Sequence, residues 1–246
     1  ESESGYKIRL DPSGRCPSCE VTYEDRDGVM DLFPRDVEAD KTRYVDFYEN
    51  DYLDENPLMH LEDTEWKVRE LSPLLRHTNG STRSILDVGC GAGELVTRIG
   101  EALGSDDLTA VDCSGSILRF AKKRHPELTF RRVDAAYLPF LNGSFDLSML
   151  IDVVEHQPQP ERVLRELSRV SKRLLFRTPL EDCLYEGLRR HRRDRFHESS
   201  GHVVHFDRAS VRKMLESNGF SIREERIEHI AWSHWKGVLT GDAPLT

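Results

Sequence analysis

The chain has 246 residues, of which 37% are hydrophobic, and it carries a formal net charge of −9. This length suits one α/β domain with a sizeable core and a small extension. The acidic balance argues against a protein whose main task is to grip a long nucleic acid, since such proteins usually present a basic face. No apolar run approaches the roughly 18 residues of a membrane span, and no signal peptide is evident. The five cysteines are scattered, which indicates a reducing compartment, so we expect a cytoplasmic protein.

The first feature along the chain is a pair of cysteines, Cys16 and Cys19. Two thiolates at this spacing can form one edge of a tetrahedral zinc site, which needs four ligands. The run 23–34 resembles the tail of a small zinc ribbon, so residues 1–40 are predicted to be a ribbon-like extension. Either upstream ligands complete the ribbon, or it has lost its metal and keeps only a hairpin. Because one pair falls short of a full ligand set, we do not expect zinc in this chain as given.

An aromatic segment follows, with Phe47, Tyr48 and Tyr52, and then a predicted helix over 62–75. Tyr48 and Tyr52 are candidate substrate-binding residues. Either they belong to a lid that closes over the cofactor, or they pack as one face of a helix on the main domain. Both arrangements produce the same pattern of aromatic residues.

A short apolar strand then runs into a turn that contains Gly89, Gly91 and Gly93. Glycine permits positive φ and lets a ligand approach the main chain, and apolar residues at helical spacing follow the turn. A dinucleotide fingerprint would need its third glycine where Glu94 stands. Carboxylates at Asp87 and Glu94 would repel a pyrophosphate but attract the ammonium and sulfonium of S-adenosylmethionine.

A second apolar strand ends at Asp112, about twenty residues after the turn, where an acid can accept the ribose hydroxyls of a nucleoside. Alone, the glycines would be an ordinary tight turn and Asp112 a helix cap. Together they predict bound S-adenosylmethionine.

With these residues, the chain over about 44–227 resembles the class I S-adenosylmethionine-dependent methyltransferases. The resemblance implies a doubly wound, Rossmann-like α/β fold with helices on both faces of a seven-stranded, mostly parallel sheet whose last strand, at 231–239, is antiparallel. It places this domain at 41–246, with lid segments at about 41–60 and 181–206. It also implies cofactor-binding roles for residues on four elements: Asp87, Gly89, Gly91, Gly93, Asp112, Cys113, Asp134, Ala135 and Ile151.

Downstream, the alternation of elements continues with a predicted helix over 161–170 and a strand over 173–177. A basic run then includes Arg189 and Arg193. In the family, the insertion at this point often covers the acceptor, so these arginines are candidates for binding an anionic group of the substrate. The alternative is a solvated helix face.

Three histidines are candidates for a general base: His156 after the fourth strand, and His202 and His205 before a predicted helix over 208–217. Histidine titrates near neutrality, and a base is needed only if the acceptor keeps its proton. Each histidine also has a structural alternative, as a helix cap or as a packed loop residue.

The sequence therefore predicts a biosynthetic methyltransferase that uses S-adenosylmethionine and releases S-adenosylhomocysteine. Its expected partner is a small polar or glycan-like metabolite, methylated at oxygen or nitrogen. The alternatives are an RNA- or protein-modifying methyltransferase and a non-catalytic subunit that binds the cofactor beside an active partner. Measured salt dependence of RNA binding would separate the RNA-modifying enzyme from the small-molecule enzyme.

Overall fold

The computed structural model describes residues 15, 22–33, 45–51, 61, 63–78, 82–180 and 202–227. Their strands are β1 (Glu24–Arg26), β2 (Val29–Asp31), β3 (Ser84–Val88), β4 (Asp107–Asp112), β5 (Thr129–Arg132), β6 (Leu147–Ile151) and β7 (Leu174–Arg177). Their α-helices are α1 (Thr64–Leu71), α2 (Glu94–Leu103), α3 (Gly115–Arg124), α4 (Pro160–Val170) and α5 (Arg208–Ser217). A π-helical turn covers Phe47–Asp51, and 3₁₀ turns cover Ser72–Thr78 and Val154–His156. In this described part, no helix is both long enough and apolar enough to cross a bilayer.

The strands form one seven-stranded sheet in the order β1-β2-β5-β4-β3-β6-β7. The pair β1 and β2 is antiparallel, and all other neighbouring strands are parallel. The predicted doubly wound, mostly parallel α/β fold is confirmed. The antiparallel member described here is the first strand of the chain, and residues 231–239, expected to form an antiparallel last strand, lie outside the described residues. After β5, the chain crosses to the other side of β3, and this reversal opens a crevice at the carboxyl ends of β3 and β6.

Helices cover both faces of the sheet. One apolar cluster includes Leu164 of α4 and Leu215 of α5, and the other includes Leu71 of α1, Val96 of α2 and Leu118 of α3. The central strands β3 and β6 are buried at every position, as expected for parallel strands covered on both sides. Two helix boundaries follow local rules: Asp207 caps α5 in a capping box, and Gly219, at φ +92°, follows its end.

The N-terminal hairpin joins this sheet. Val29 and Leu32 are buried, and the amide of Leu32 donates to the carbonyl of Arg132 at 2.8 Å. The guanidinium of Arg132 lies 3.1 Å from the Asp31 carboxylate and 4.9 Å from the centre of the Phe33 ring. Residues 22–33 of the predicted extension are therefore built onto the edge of the main domain, next to β5.

Candidate cofactor and acceptor site

The glycine turn is held in shape by main-chain geometry. Gly89, Gly91 and Gly93 have φ values of +76°, +52° and +79°. A Cβ atom at Gly89 would lie 2.3 Å from Cγ2 of Val153, and one at Gly93 would lie 2.9 Å from Cζ of Phe130. The amide of Gly89 donates to the carbonyl of Val111, the residue before Asp112, at 2.8 Å. The turn is thus fixed against the end of β4.

Asp112 connects this turn with the start of α3. Its Oδ2 accepts a hydrogen bond from the Gly91 amide at 3.1 Å, and its Oδ1 accepts one from the Ser114 amide at 3.0 Å. The residue is 9% exposed and lines the crevice. One carboxylate therefore fixes two loops and also faces the space where a ligand would lie.

The crevice at the carboxyl ends of the strands brings together six of the predicted cofactor residues: Gly89, Gly91, Asp112, Cys113, Asp134 and Ala135. Asp134 follows β5 and is 7% exposed, and its Oδ1 accepts a hydrogen bond from the Ala136 amide at 2.9 Å. The other three predicted residues are not in this lining. Asp87 and Ile151 are buried strand residues, and Gly93 begins α2.

The segment 85–173, which contains this crevice, matches the family model described as a methyltransferase domain. A ubiquinone biosynthesis O-methyltransferase from Chromobacterium violaceum is 32% identical over 125 residues, which are 45% of this chain and 52% of that protein. A phthiotriol/phenolphthiotriol dimycocerosates methyltransferase from Mycobacterium leprae is 37% identical over 94 residues, which are 37% of this chain and 35% of that protein. The chain carries a class I S-adenosylmethionine-dependent methyltransferase domain.

A solved structure shares the fold of this methyltransferase domain. Magnesium protoporphyrin IX methyltransferase from Synechocystis PCC 6803, with bound S-adenosylhomocysteine, aligns with a TM-score of 0.59 and 19% identity, over 75% of this chain and 91% of that chain. The chain spans only about a third to a half of the length of the two sequence relatives. The predicted family and cofactor are confirmed.

Asp87 gives the cofactor region of the methyltransferase domain an unusual electrostatic character. Burial, together with the negative charge of Asp112, raises the pKa of Asp87 to about 7, and the ammonium of Lys67 acts in the opposite direction. The side chain is 2% exposed, so water does little to stabilise its charge. A cationic group brought near this carboxylate would favour its ionised form.

Glu94 does not share this role. Its carboxylate lies 2.9 Å from Nε2 of His125 and 3.4 Å from the guanidinium of Arg124, both at the end of α3. Glu94 is therefore held at the end of a neighbouring helix and does not line the crevice, so its predicted contact with the cofactor cations stays a prediction.

The N-terminal hairpin supplies a wall of the crevice that sequence reasoning missed. Phe33 lines the space together with Cys113 and Asp134. Arg132, whose guanidinium lies over the Phe33 ring, also donates from Nε to the carbonyl of Cys113 at 2.8 Å. The hairpin sequence gave no signal for this role, because β2 reaches the crevice only by pairing with β5.

The opposite wall of the crevice contains Tyr48 and His156. Their rings meet edge to face with centroids 5.9 Å apart, and His156 meets His202 in the same way at 4.9 Å. His205 is exposed and does not line the crevice. The structure therefore brings together two of the three predicted histidines and one of the predicted tyrosines.

Acidic residues next to these rings have distinct surroundings. Asp152 follows β6 at φ +56° and forms ion pairs with Arg177 and, at 3.0 Å, with Lys67 of α1. Glu155 is 2% exposed and accepts a hydrogen bond from the Thr178 hydroxyl at 3.1 Å. Burial, together with the charge of Asp152, raises the pKa of Glu155 to about 8. Asp152 lines the crevice and was missed, although it ends the buried strand that precedes His156.

Several predicted residues cannot be placed. Tyr52, Arg189, Arg193, Cys16 and Cys19 lie outside the described residues. The predicted lid segments are described only at 45–51 and 202–206.

Proposed function

We propose that this protein transfers a methyl group from S-adenosylmethionine to an oxygen or nitrogen of a small polar or glycan-like metabolite. The main support is one observation: the backbone of Gly89 and Gly91 shares a crevice with the carboxylates of Asp112 and Asp134 at the point where the strand order reverses. Ligands of open parallel sheets bind at this position.

The residues of the crevice suit each part of the cofactor. Asp112 ends β4 and faces the crevice, where its carboxylate can accept ribose hydroxyls. Asp134 and the following amide of Ala135 would receive the adenine, with Phe33 as an apolar wall nearby. Asp87 lies in β3, two residues before Gly89, and burial together with the charge of Asp112 raises its pKa to about 7. The ammonium of the methionine part would favour the ionised carboxylate.

The acceptor would lie on the side of Tyr48 and His156. The bound cofactor supplies an electrophilic methyl group on a sulfonium, and the protein aligns the acceptor atom with it. Where the acceptor is a hydroxyl, its proton must be removed, and His156 is the crevice-lining imidazole placed to accept it. His202 contacts the His156 ring and would fix its orientation.

The activities of the two relatives support a small-molecule acceptor. One acts in ubiquinone biosynthesis as an O-methyltransferase, and the other is named for phthiotriol lipids. Both relatives support methyl transfer to a small molecule as the reaction of this chain.

The test is calorimetric titration of S-adenosylmethionine and S-adenosylhomocysteine into the wild type, Asp112→Ala and a control, Asp106→Ala. Asp106 is an exposed residue immediately before β4, at the end of the strand away from the crevice. We expect Asp112→Ala to weaken binding at least tenfold and the control to bind like the wild type. Absence of binding to folded wild-type protein would refute the proposal.

If the cofactor binds, the acceptor is sought by following S-adenosylhomocysteine release with panels of hydroxylated metabolites, glycans and RNA. Turnover with RNA, with an affinity that falls steeply as salt increases, would replace the small-molecule acceptor with a nucleic acid.

A further inference from the structure

A cluster of three side chains beside the crevice has the composition of a metal site. Donor atoms of Glu155, His156 and His202 all lie within 4.8 Å of one another. Glu155 and His156 belong to the 3₁₀ turn after β6, whereas His202 comes from the segment before α5. The fold therefore assembles this group from two distant parts of the chain.

Backbone hydrogen bonds hold the two segments together. The amides of Val203 and Val204 both donate to the carbonyl of Glu155, at 2.8 Å and 3.1 Å. His202 is thereby anchored next to the turn that carries the other two side chains. The Thr178 hydroxyl donates to Oε2 of Glu155, which orients the carboxylate as a supporting hydrogen bond does around a metal ligand.

The charge balance also favours a cation. Glu155 is a buried carboxyl group, and its ionised form is costly unless an opposite charge or a metal accompanies it. The two basic side chains nearby, Lys67 and Arg177, are both paired with Asp152. Nε2 of His156 lies 4.0 Å from Oε1 of Glu155. An ion at this position would stabilise the ionised carboxylate and bind both imidazoles.

We propose that Glu155, His156 and His202 bind one divalent transition-metal ion, with Zn²⁺ as the reference ion. Two imidazoles and one carboxylate suit Zn²⁺, Co²⁺ or Mn²⁺ better than Mg²⁺, which prefers oxygen ligands. In tetrahedral coordination with bonds of about 2.0 Å, the donor atoms lie about 3.3 Å apart, so the side chains must draw closer by a small rotation. Three protein ligands leave a coordination position for water or an acceptor oxygen.

The site borders the crevice through His156. With the ion bound, His156 is a ligand and no longer the free base. An acceptor hydroxyl bound to the ion would instead become more acidic, because a bound cation stabilises the deprotonated oxygen. This consequence for catalysis rests on the proposed methyl transfer, whereas metal binding itself does not.

The experiment measures Zn²⁺ binding to the metal-free 246-residue chain by calorimetry. Cys16→Ser and Cys19→Ser are introduced throughout, because this pair is the other candidate zinc ligand set in the chain. Glu155→Gln and His202→Ala are compared with His205→Ala, which removes an exposed histidine three positions away from His202. Thermal melting of each variant in the presence of a chelator establishes that it is folded.

We expect about one Zn²⁺ per chain, a loss of affinity of at least tenfold in Glu155→Gln and His202→Ala, and less than a twofold change in His205→Ala. Substituted Co²⁺ should show the visible absorption of a low-symmetry site in the parent protein and lose it in His202→Ala. Lack of Zn²⁺ binding by the folded parent, or binding that neither variant weakens, would overturn the proposal. Titration of S-adenosylmethionine into the same proteins separates this result from the proposed function: cofactor binding without zinc binding refutes only the metal site, and the reverse refutes only the cofactor site.

Discussion

Binding of S-adenosylmethionine is expected to displace a proton from Asp87. Burial and the charge of Asp112 raise the pKa of Asp87 to about 7, so the carboxyl is mostly protonated at pH 6. The ammonium of the ligand favours the ionised carboxylate, and the proton must leave before that contact forms. Binding should therefore weaken as pH falls below about 7.

The magnitude follows from this pKa. With a ligand-free pKa near 7 and a bound-state pKa near the ordinary value, roughly 4, the Asp87 contribution makes binding about tenfold weaker at pH 6 than at pH 8. A factor of ten corresponds to about 1.4 kcal/mol. About 0.9 proton should be released on binding at pH 6 and about 0.1 at pH 8.

The assay is calorimetric titration at both pH values in two buffers that differ in ionisation enthalpy, with Asp87→Asn as the matched variant. The amino group of the ligand titrates in the same way against both proteins, so the difference between them reports Asp87. Equal pH dependence and equal proton release in wild type and Asp87→Asn would refute the reasoning.

The same shift has a consequence for the ligand-free protein. Because the folded-state pKa of Asp87 lies above its ordinary value of 3.8, the folded state holds its proton more tightly than the unfolded state does. The free energy of unfolding should therefore fall as pH rises from about 4 to about 7, by up to roughly 4 kcal/mol from this group. Urea unfolding of Asp87→Asn at pH 5 and pH 8 should show a smaller loss than the wild type, and an identical loss in both proteins would contradict this interpretation.

Three further substitutions test the architecture of the site. Gly89→Ala should lower the free energy of unfolding by about 2–4 kcal/mol in urea denaturation, because it combines positive φ with a steric clash. The control Gly104→Ala, at φ +64° with open space around it, should lower it by only about 1 kcal/mol. Equal losses in the two variants would show that the clash is relieved. Phe33→Ala should weaken S-adenosylmethionine binding several-fold in calorimetry. Phe120→Ala, on the exposed side of α3, should leave binding unchanged. Normal binding to Phe33→Ala would show that the hairpin does not contribute to the cofactor site. Asp152→Asn keeps a residue that tolerates positive φ but loses two ion pairs, so it should lower the free energy of unfolding by about 1–2 kcal/mol. Because the ion pairs are mostly buried, 1 M salt should reduce this loss only slightly.

Much of the cofactor region could be predicted from the sequence. Turn and helix formation depend on short-range effects: Gly89 and Gly93 adopt positive φ as predicted, and α5 spans the predicted range, Arg208–Ser217. Asp112 was predicted from its place at the end of an apolar strand, because in parallel sheets such ends meet at one edge. The family resemblance added Asp134 on the same basis.

Glu94 shows what the local sequence leaves open. The charge of Glu94 and its position next to the turn suggested a contact with a cationic ligand. However, a helix directs successive side chains to different faces, and the Glu94 side chain meets His125 at the end of α3. The sequence determines the charge of a side chain, whereas the packing of the helix determines where that side chain points.

The sequence by itself determined the strand, turn and helix that form the cofactor side, because glycine sterics, capping and apolar periodicity act over a few residues. The tertiary structure alone decided that Phe33 enters the crevice through the pairing of β2 with β5, and that His202 meets His156 and Glu155. These contacts join segments far apart in the chain. Their formation depends on which strands and loops become neighbours when the whole sheet buries its apolar faces.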